Sequence, residues 1–277
     1  MAWCCARGKL NACDEAGSMP GLESLPLWAL AWVIAVIALA GLTHGVIGIG
    51  FPLVATPLLT LALDIKAAVF FILLPTVAAT GISALQGGRW RESLGRFWYM
   101  PLLLGLGSHL GTRIFIASDP APFVLLLALL MLIYLNMERL GKTDIALVRR
   151  NPHVFGVMFG LAAGFTEAMC NIAAPVLLIF FMLASVPAVA MIQIMNLCFV
   201  VGKISQSLTW AAVGGVAAAD WLGTLPLVAV AAIAFLFGSR VRRCADARTY
   251  RGWLRKFLWV MVLLLLGQFA QLMLARA

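Results

Sequence analysis

A chain of 277 residues that is 63% hydrophobic and only 11% charged, with a mean hydropathy of +1.02, lacks the polar surface a soluble globule of that size needs. The composition excludes a soluble enzyme, a secreted module and a nucleic-acid binder, and a net charge of +9 has to be read loop by loop as a topology signal. Residues 24–63, 67–88, 120–137, 168–202, 204–219, 221–239 and, apart from Arg276, 257–277 contain no Asp, Glu, Lys or Arg, so hydrocarbon-length runs follow one another through the chain.

Residues 1–25 are polar, with Arg7 and Lys9 offset by Asp14, Glu15 and Glu23, and are expected to form a disordered tail. The apolar run that follows is too long for a signal-peptide core. Eight apolar segments then succeed one another, at about 27–63, 67–86, 97–117, 121–140, 153–184, 187–209, 221–239 and 254–275. Helices are the open-chain solution in lipid, where an unpaired backbone amide is costly, and the runs lack barrel-strand alternation. The expected fold class is therefore an all-α polytopic membrane protein.

The first and fifth segments are too long. At about 1.5 Å per residue, residues 24–63 would stretch to about 60 Å as one helix, twice the hydrocarbon thickness. The break points are Gly45, Gly48 and Gly50 followed by Pro52 and Pro57, and the polar stretch 166–171 followed by Pro175. Gly48, Gly50, Pro52 and Pro175 are the candidate backbone breaks, and such backbone at membrane depth has to be buried in protein or line a cavity.

The two breaks fall in an internal repeat. Gly41-Leu42-Thr43-His44-Gly45 answers Gly160-Leu161-Ala162-Ala163-Gly164, Pro57-Leu58-Leu59 answers Pro175-Val176-Leu177, Thr76 and Gln86 answer Asn196 and Gln206, and Gly111-Thr112-Arg113-Ile114 answers Gly238-Ser239-Arg240-Val241. A first repeat, 26–140, is joined by a cytoplasmic linker, 141–152, to a second, 153–277, each a broken or re-entrant segment plus three helices. Loops 87–96, 141–152 and 240–256 are rich in Arg and Lys, whereas 118–120 and 210–220 contain none, which places the first three in the cytoplasm. Basic 87–96 corresponds to acidic 210–220, so the repeats are expected to be inverted. Ten crossings satisfy the same parity if each re-entrant hairpin becomes two short crossings.

Inverted repeats with paired breaks are the pattern of secondary transporters. The stretch Gly45-x-x-Gly48-Ile49-Gly50-Phe51-Pro52-Leu53-x-x-x-Pro57-Leu58-Leu59, its echo from Gly160 to Pro175-Val176-Leu177-Leu178, and the closing Gly111-Thr112-Arg113 and Gly238-Ser239-Arg240 resemble the sulfite exporter TauE/SafE family over about residues 30–275. The resemblance implies movement, proton-linked or passive, of a small sulfur-containing anion such as sulfite or an organosulfonate across a bacterial inner membrane. Alternatives are a passive anion channel or a transporter of a small carboxylate. The chain departs from the family pattern at Gly50-Phe51-Pro52 and at Glu167-Ala168-Met169-Cys170-Asn171. A carboxylate there suits an anion site if it is protonated, paired with a cation or used as the proton carrier.

Lys203 is the sharpest signal. It lies in an apolar segment seven residues after Asn196 and ten after Gln193, so that Gln193, Asn196, Lys203 and Gln206 share a helical face. A polar stripe with one cation suits an oxyanion, and intramembrane ionisable groups ordinarily face a cavity or a partner. The competing interpretation is a lysine that snorkels to the interface beside amides that bridge helices. Asn171 is a candidate to orient substrate or cap a half-helix, with Thr76 and Gln86 completing the site from the first repeat. Glu167 and His44, each beside a break, are the proton-coupling candidates.

The cysteines have no metal or redox spacing and Cys170 and Cys198 are expected to be apolar fillers. His109 and His153 are expected to be structural, and Trp28, Trp32, Trp90, Trp98, Tyr99, Trp210, Trp221, Trp253 and Trp259 to form an interfacial belt. There is no HExxH, no paired histidine and no Asp-rich motif, so no catalytic, metal or cofactor site is expected. The expected partners are a small anion, lipid and protons, with a homodimer as one assembly and no nucleic acid.

Overall fold

The computed structural model describes residues 22, 25–88, 90–119, 121–136, 148, 150–213 and 216–242, with 252, 256, 258–260, 262–267, 269 and 270. Residues 1–21 of the expected tail, most of the linker and most of the loop 240–256 lie outside the described residues. Eleven helices have defined bounds: α1 (Leu27–Ile47), α2 (Phe51–Ala62), α3 (Ile65–Gln86), α4 (Trp90–Phe97), α5 (Met100–Ala117), α6 (Ala121–Leu135), α7 (Pro152–Cys170), α8 (Ala174–Leu183), α9 (Ala188–Val213), α10 (Ala218–Gly223) and α11 (Leu225–Val241). Residues 258–260 and 262–267 are helical as well. Six stretches, α1, α3, α5, α7, α9 and the run Ala218–Val241, are long and apolar enough to cross a membrane. The chain is a multi-pass membrane protein.

Both overlong segments break. α1 ends at Gly48 and α2 starts after Gly50, two glycines at φ 92° and 107° in the left-handed region that a side chain disfavours. α7 ends at Asn171, φ 57°, whose side chain tolerates the same conformation. Each short helix folds back along its predecessor. Trp32, near the start of α1, donates its indole N–H to the Leu58 carbonyl late in α2, at 3.2 Å. The rings of Phe159 and Phe180 meet at a tilt, 5.6 Å apart, between α7 and α8. The broken segments are therefore two helical hairpins with tips at 48–50 and 171–173.

The hairpins exchange partners. α1 packs on α11 and α7 packs on α5, while α9 lies against both α3 and α5, and α3 against α11. In lipid there is no hydrophobic drive between helices, so close packing by small residues holds such crossings. A Cβ at Gly45 would collide with the Phe235 carbonyl and the Ser239 amide, and one at Gly164 with the Leu104 carbonyl and the Ser108 amide. Gly238 likewise abuts the Leu42 carbonyl and Gly107 the Leu161 carbonyl.

These contacts correct the register expected for the repeat. Gly107-Ser108, one turn before Gly111-Thr112, occupies the place that Gly238-Ser239 occupies in the other crossing. Pro175 answers Pro52, not Pro57, because Pro52 and Pro175 are each the second residue of their helix whereas Pro57 lies inside α2. In the register set by those prolines and by the starts of α3 and α9, Leu73 and Ser83, not Thr76 and Gln86, stand where Asn196 and Gln206 stand, and Thr80 stands where Lys203 does.

The aromatic belt also needs one correction. Trp28, Trp90, Trp98 and Trp259 are exposed, but Trp210 is 1% exposed and packs between Phe70 and Phe115. Trp221 leans on Phe70 at 4.9 Å. A tryptophan one turn from a helix end reaches back into the bundle as readily as out to the headgroups.

Candidate functional site

α9 is the helix that gathers the polar side chains, and it does so at two levels. The upper level is the tip of the second hairpin. Lys203 is fully buried, and its ammonium donates to the Asn171 Oδ1 and, at 2.7 Å, to the Gln206 Oε1. Its third neighbour is Glu167, whose Oε1 lies 3.5 Å away as an ion pair. An ammonium has three protons, and here three acceptors surround it.

The tip is built to hold that arrangement. Glu167 lies in the last turn of α7, and its backbone carbonyl accepts from the Asn171 N–H at 2.8 Å, so the carboxylate and the amide arrive as one unit. Gln206, one turn beyond Lys203, also donates from Nε2 to the Ala168 carbonyl at 3.0 Å. Glu167 projects into a notch in α9, since a Cβ at Gly202 would collide with its Oε2 and with Leu104. Ser108 fixes the notch by donating to the Gly202 carbonyl at 3.0 Å. Neither carboxylate oxygen of Glu167 has a hydrogen bond and neither does the Asn171 Nδ2 among the described residues. The second half-helix, α8, resumes three residues beyond Asn171.

The lower level is the tip of the first hairpin. Asn196 donates to the Gly48 carbonyl and to the Ile192 carbonyl, both at 2.8 Å, and Ser83 donates to the same Gly48 carbonyl at 3.4 Å. His44 is buried, packs 5.6 Å from the ring of Phe235, and its Nδ1 accepts from the Phe51 N–H at 3.2 Å. That bond caps the start of α2. Arg242, the C-cap of α11, reaches this tip, and a Cβ placed on Gly48 would lie 3.5 Å from its guanidinium. Seven residues of α9 separate Asn196 from Lys203, so the two levels are about 10 Å apart.

Of the residues expected to form one site, the fold brings together Lys203, Gln206, Asn171 and Glu167 at one tip and Asn196, His44, Gly48 and Gly50 at the other. Three fall outside both. Gln193 donates to the Ala84 carbonyl at 3.2 Å and closes on the end of α3. Thr76 bonds its own helix at the Ile72 carbonyl. Gln86 is exposed at the C-terminus of α3. Sequence reasoning missed Gly202, Ser83 and Ser108. The signal for Gly202 was its place beside Lys203 in a helix otherwise rich in large apolar residues.

Cys170 and Cys198 are buried and unpaired, as expected of fillers. His109 meets the Thr209 hydroxyl at 2.8 Å, a helix-to-helix bond. Among the described residues no group of His, Cys, Asp and Glu is arranged to hold a metal.

Two helical hairpins, each packed on a long helix from the other half of the chain and each breaking beside buried polar side chains of α9, lie within the reach of one family model. The model of the sulfite exporter TauE/SafE family matches residues 33–269. The chain belongs to that family. The match spans both tips and every helix with defined bounds except the first turns of α1. TauE/SafE proteins are membrane transporters, which fits a chain whose polar investment is concentrated inside the bundle. No curated protein and no solved structure matches the chain significantly.

Proposed function

We propose that the chain is a secondary transporter of a bacterial inner membrane that moves a small sulfur-containing anion, sulfite or an organosulfonate, with Lys203 as the cation that receives it. The observation that carries this is a lysine with no solvent exposure at the centre of an apolar helix, ringed by Asn171, Gln206 and Glu167. Burying an ion pair in lipid is costly, and such groups are retained where they act on substrate or protons. Membership of the TauE/SafE family supports the substrate class.

Carrier is favoured over passive channel because Lys203, Glu167, Asn171 and Gln206 are all at most 1% exposed. A carrier has an occluded state, and a conformation with its cation sealed from both sides fits one. Glu167 is favoured over His44 as the proton-handling group. His44 spends its Nδ1 lone pair on the Phe51 N–H, so protonating that nitrogen breaks the cap of α2, whereas the Glu167 carboxylate oxygens carry no hydrogen bond.

Flux into proteoliposomes tests the assignment. Saturable uptake of sulfite or a sulfonate is expected for wild type and a loss of at least about a hundredfold for Lys203→Ala, since the charge partner of the anion is gone. Undiminished flux with normal affinity removes Lys203 from the site.

The repeats are proposed to be inverted. The exchange of hairpin partners and the tips' different levels along α9 support it, since an in-plane twofold generates both. Single cysteines at Gly95 and Ala219, both exposed, are expected to react with an impermeant maleimide from opposite sides of oriented vesicles. Labelling of both from one side overturns the inversion.

A further inference from the structure

A site that binds an external anion has to offer its cation something better than what the cation already holds. Lys203 already has three acceptors, and they are not alike. Asn171 and Gln206 are neutral amides in hydrogen-bond contact, and Gln206 is further tied to the Ala168 carbonyl. Glu167 is the charged one, stands off at 3.5 Å, and has no hydrogen bond on either oxygen. It is the acceptor that leaves most easily and the one whose charge an incoming anion duplicates.

Charge settles what must accompany the exchange. Lys203 with Glu167 is a neutral pair, and a monoanion added to it leaves one uncompensated negative charge in a site sealed from water. An unpaired buried charge is strongly unfavourable, as it is when one partner of a buried pair is removed. A proton on the carboxylate restores neutrality.

Among the described residues the surroundings offer no other group for that proton. Lys203 is the charged side chain that faces Glu167 among the described residues. α9 also presents the Cys198 thiol, and Cys170 on Glu167's own helix donates to the Phe123 carbonyl. On α5, His109 is engaged with Thr209. α8 has no titratable side chain, and the one on α6, Tyr134, is three turns from Phe123.

We propose that Glu167 is a tethered occupant of the anion site: the substrate anion displaces its carboxylate from Lys203, Glu167 takes up one proton as it lets go, and one anion and one proton then move together. The inference rests on Lys203 being the anion-binding cation. One O–H bond forms on a Glu167 carboxylate oxygen as one O–H bond of a hydronium ion breaks and leaves water, and no further covalent bond changes. The Gly202 notch gives the carboxyl the place it occupies in the empty site, and the unpartnered Asn171 Nδ2 is a donor left for the arriving oxyanion.

The sign of the pH dependence follows. Where Glu167 is ionised in the empty protein, each binding event takes up one proton, so affinity weakens about tenfold for each unit of rising pH and levels off where the carboxyl is already protonated.

The test is calorimetric titration of the purified protein with methanesulfonate, an anion of fixed charge between about pH 5.5 and 8.5, in two buffers of different ionisation enthalpy to count protons. Wild type is expected to take up close to one proton per anion at the alkaline end and to lose affinity with the stated slope. Glu167→Gln, which fills the same notch without charge, is expected to bind at least about tenfold more tightly at the alkaline end, with no slope and no proton uptake. A wild-type titration with neither slope nor uptake overturns the proposal, as does a Glu167→Gln protein that keeps the wild-type slope. The proton count stands on wild type alone, so a variant that does not fold leaves it decisive. Acetate binding with proton uptake while methanesulfonate and sulfite fail moves the substrate class and keeps the displacement. Failure of all three to bind overturns both.

Discussion

The two hairpin tips solve the same backbone problem with different chemistry. At Gly48 the helix ends on a glycine, and the freed carbonyl is met by the amide of Asn196 and the hydroxyl of Ser83. At Asn171 the helix ends on a residue with a side chain, and the tip is wrapped around an ammonium and a carboxylate. The hydrogen bonds to the freed carbonyl at the first tip come from neutral groups, with the Arg242 guanidinium nearby and no buried carboxylate beside it. The ion pair at the second tip goes beyond what the architecture requires. A buried pair is weak evidence for stability, so the contrast supports the proposal that the second tip serves transport while the first holds the frame.

The sharpest way to break that contrast is to remove the pair in halves and then whole. Lys203→Met leaves Glu167 unpaired, and removing one partner of a buried pair destabilises by about 3–5 kcal/mol. Replacing both, with Glu167→Met added, is expected to restore most of that loss, because two apolar side chains in place of a buried pair are often neutral or better. Denaturation in detergent reads the stability and proteoliposome flux the activity. The double variant is expected to be nearly as stable as wild type and inactive. A double variant as unstable as Lys203→Met would make the pair a structural member of the tip, equal in kind to Asn196.

The positions of the breaks were legible in the sequence because glycine and proline act locally: Gly48, Gly50, Pro52 and Pro175 sit where the helices end or restart. The second-tip cluster was legible in part, since Lys203, Gln206, Asn171 and Glu167 stood out as polar residues in uncharged runs. What letter matching got wrong was register. Gly111-Thr112-Arg113 looks like Gly238-Ser239-Arg240, but the close approach that decides the matter is made by Gly107. A slip of one turn keeps a residue on roughly the same helix face, so periodicity alone could not expose it. The same slip carried Thr76 and Gln86 into the expected site, although Gln86 is exposed. The separation of the breaks was hidden because depth along α9 is a tertiary property. Asn196 and Lys203 share a face in sequence, yet each belongs to a different tip.

That separation leads to the smaller effect. Asn196 gives both amide protons to carbonyls, Gly48 across the interface and Ile192 on its own helix, each at 2.8 Å, so Asn196→Leu removes one tertiary hydrogen bond at nearly constant volume. A net hydrogen bond contributes about 0.5–1.5 kcal/mol, and the Gly48 carbonyl keeps Ser83 as a partner. The expected loss of stability is about 1 kcal/mol, well below that for Lys203→Met. If the first tip holds the frame, anion affinity in Asn196→Leu stays within about threefold of wild type, under about 1 kcal/mol, and its pH slope is unchanged. A drop in affinity of tenfold or more, with stability little affected, would place substrate at both levels of α9 and make the two tips successive stations on one path rather than a frame and a site.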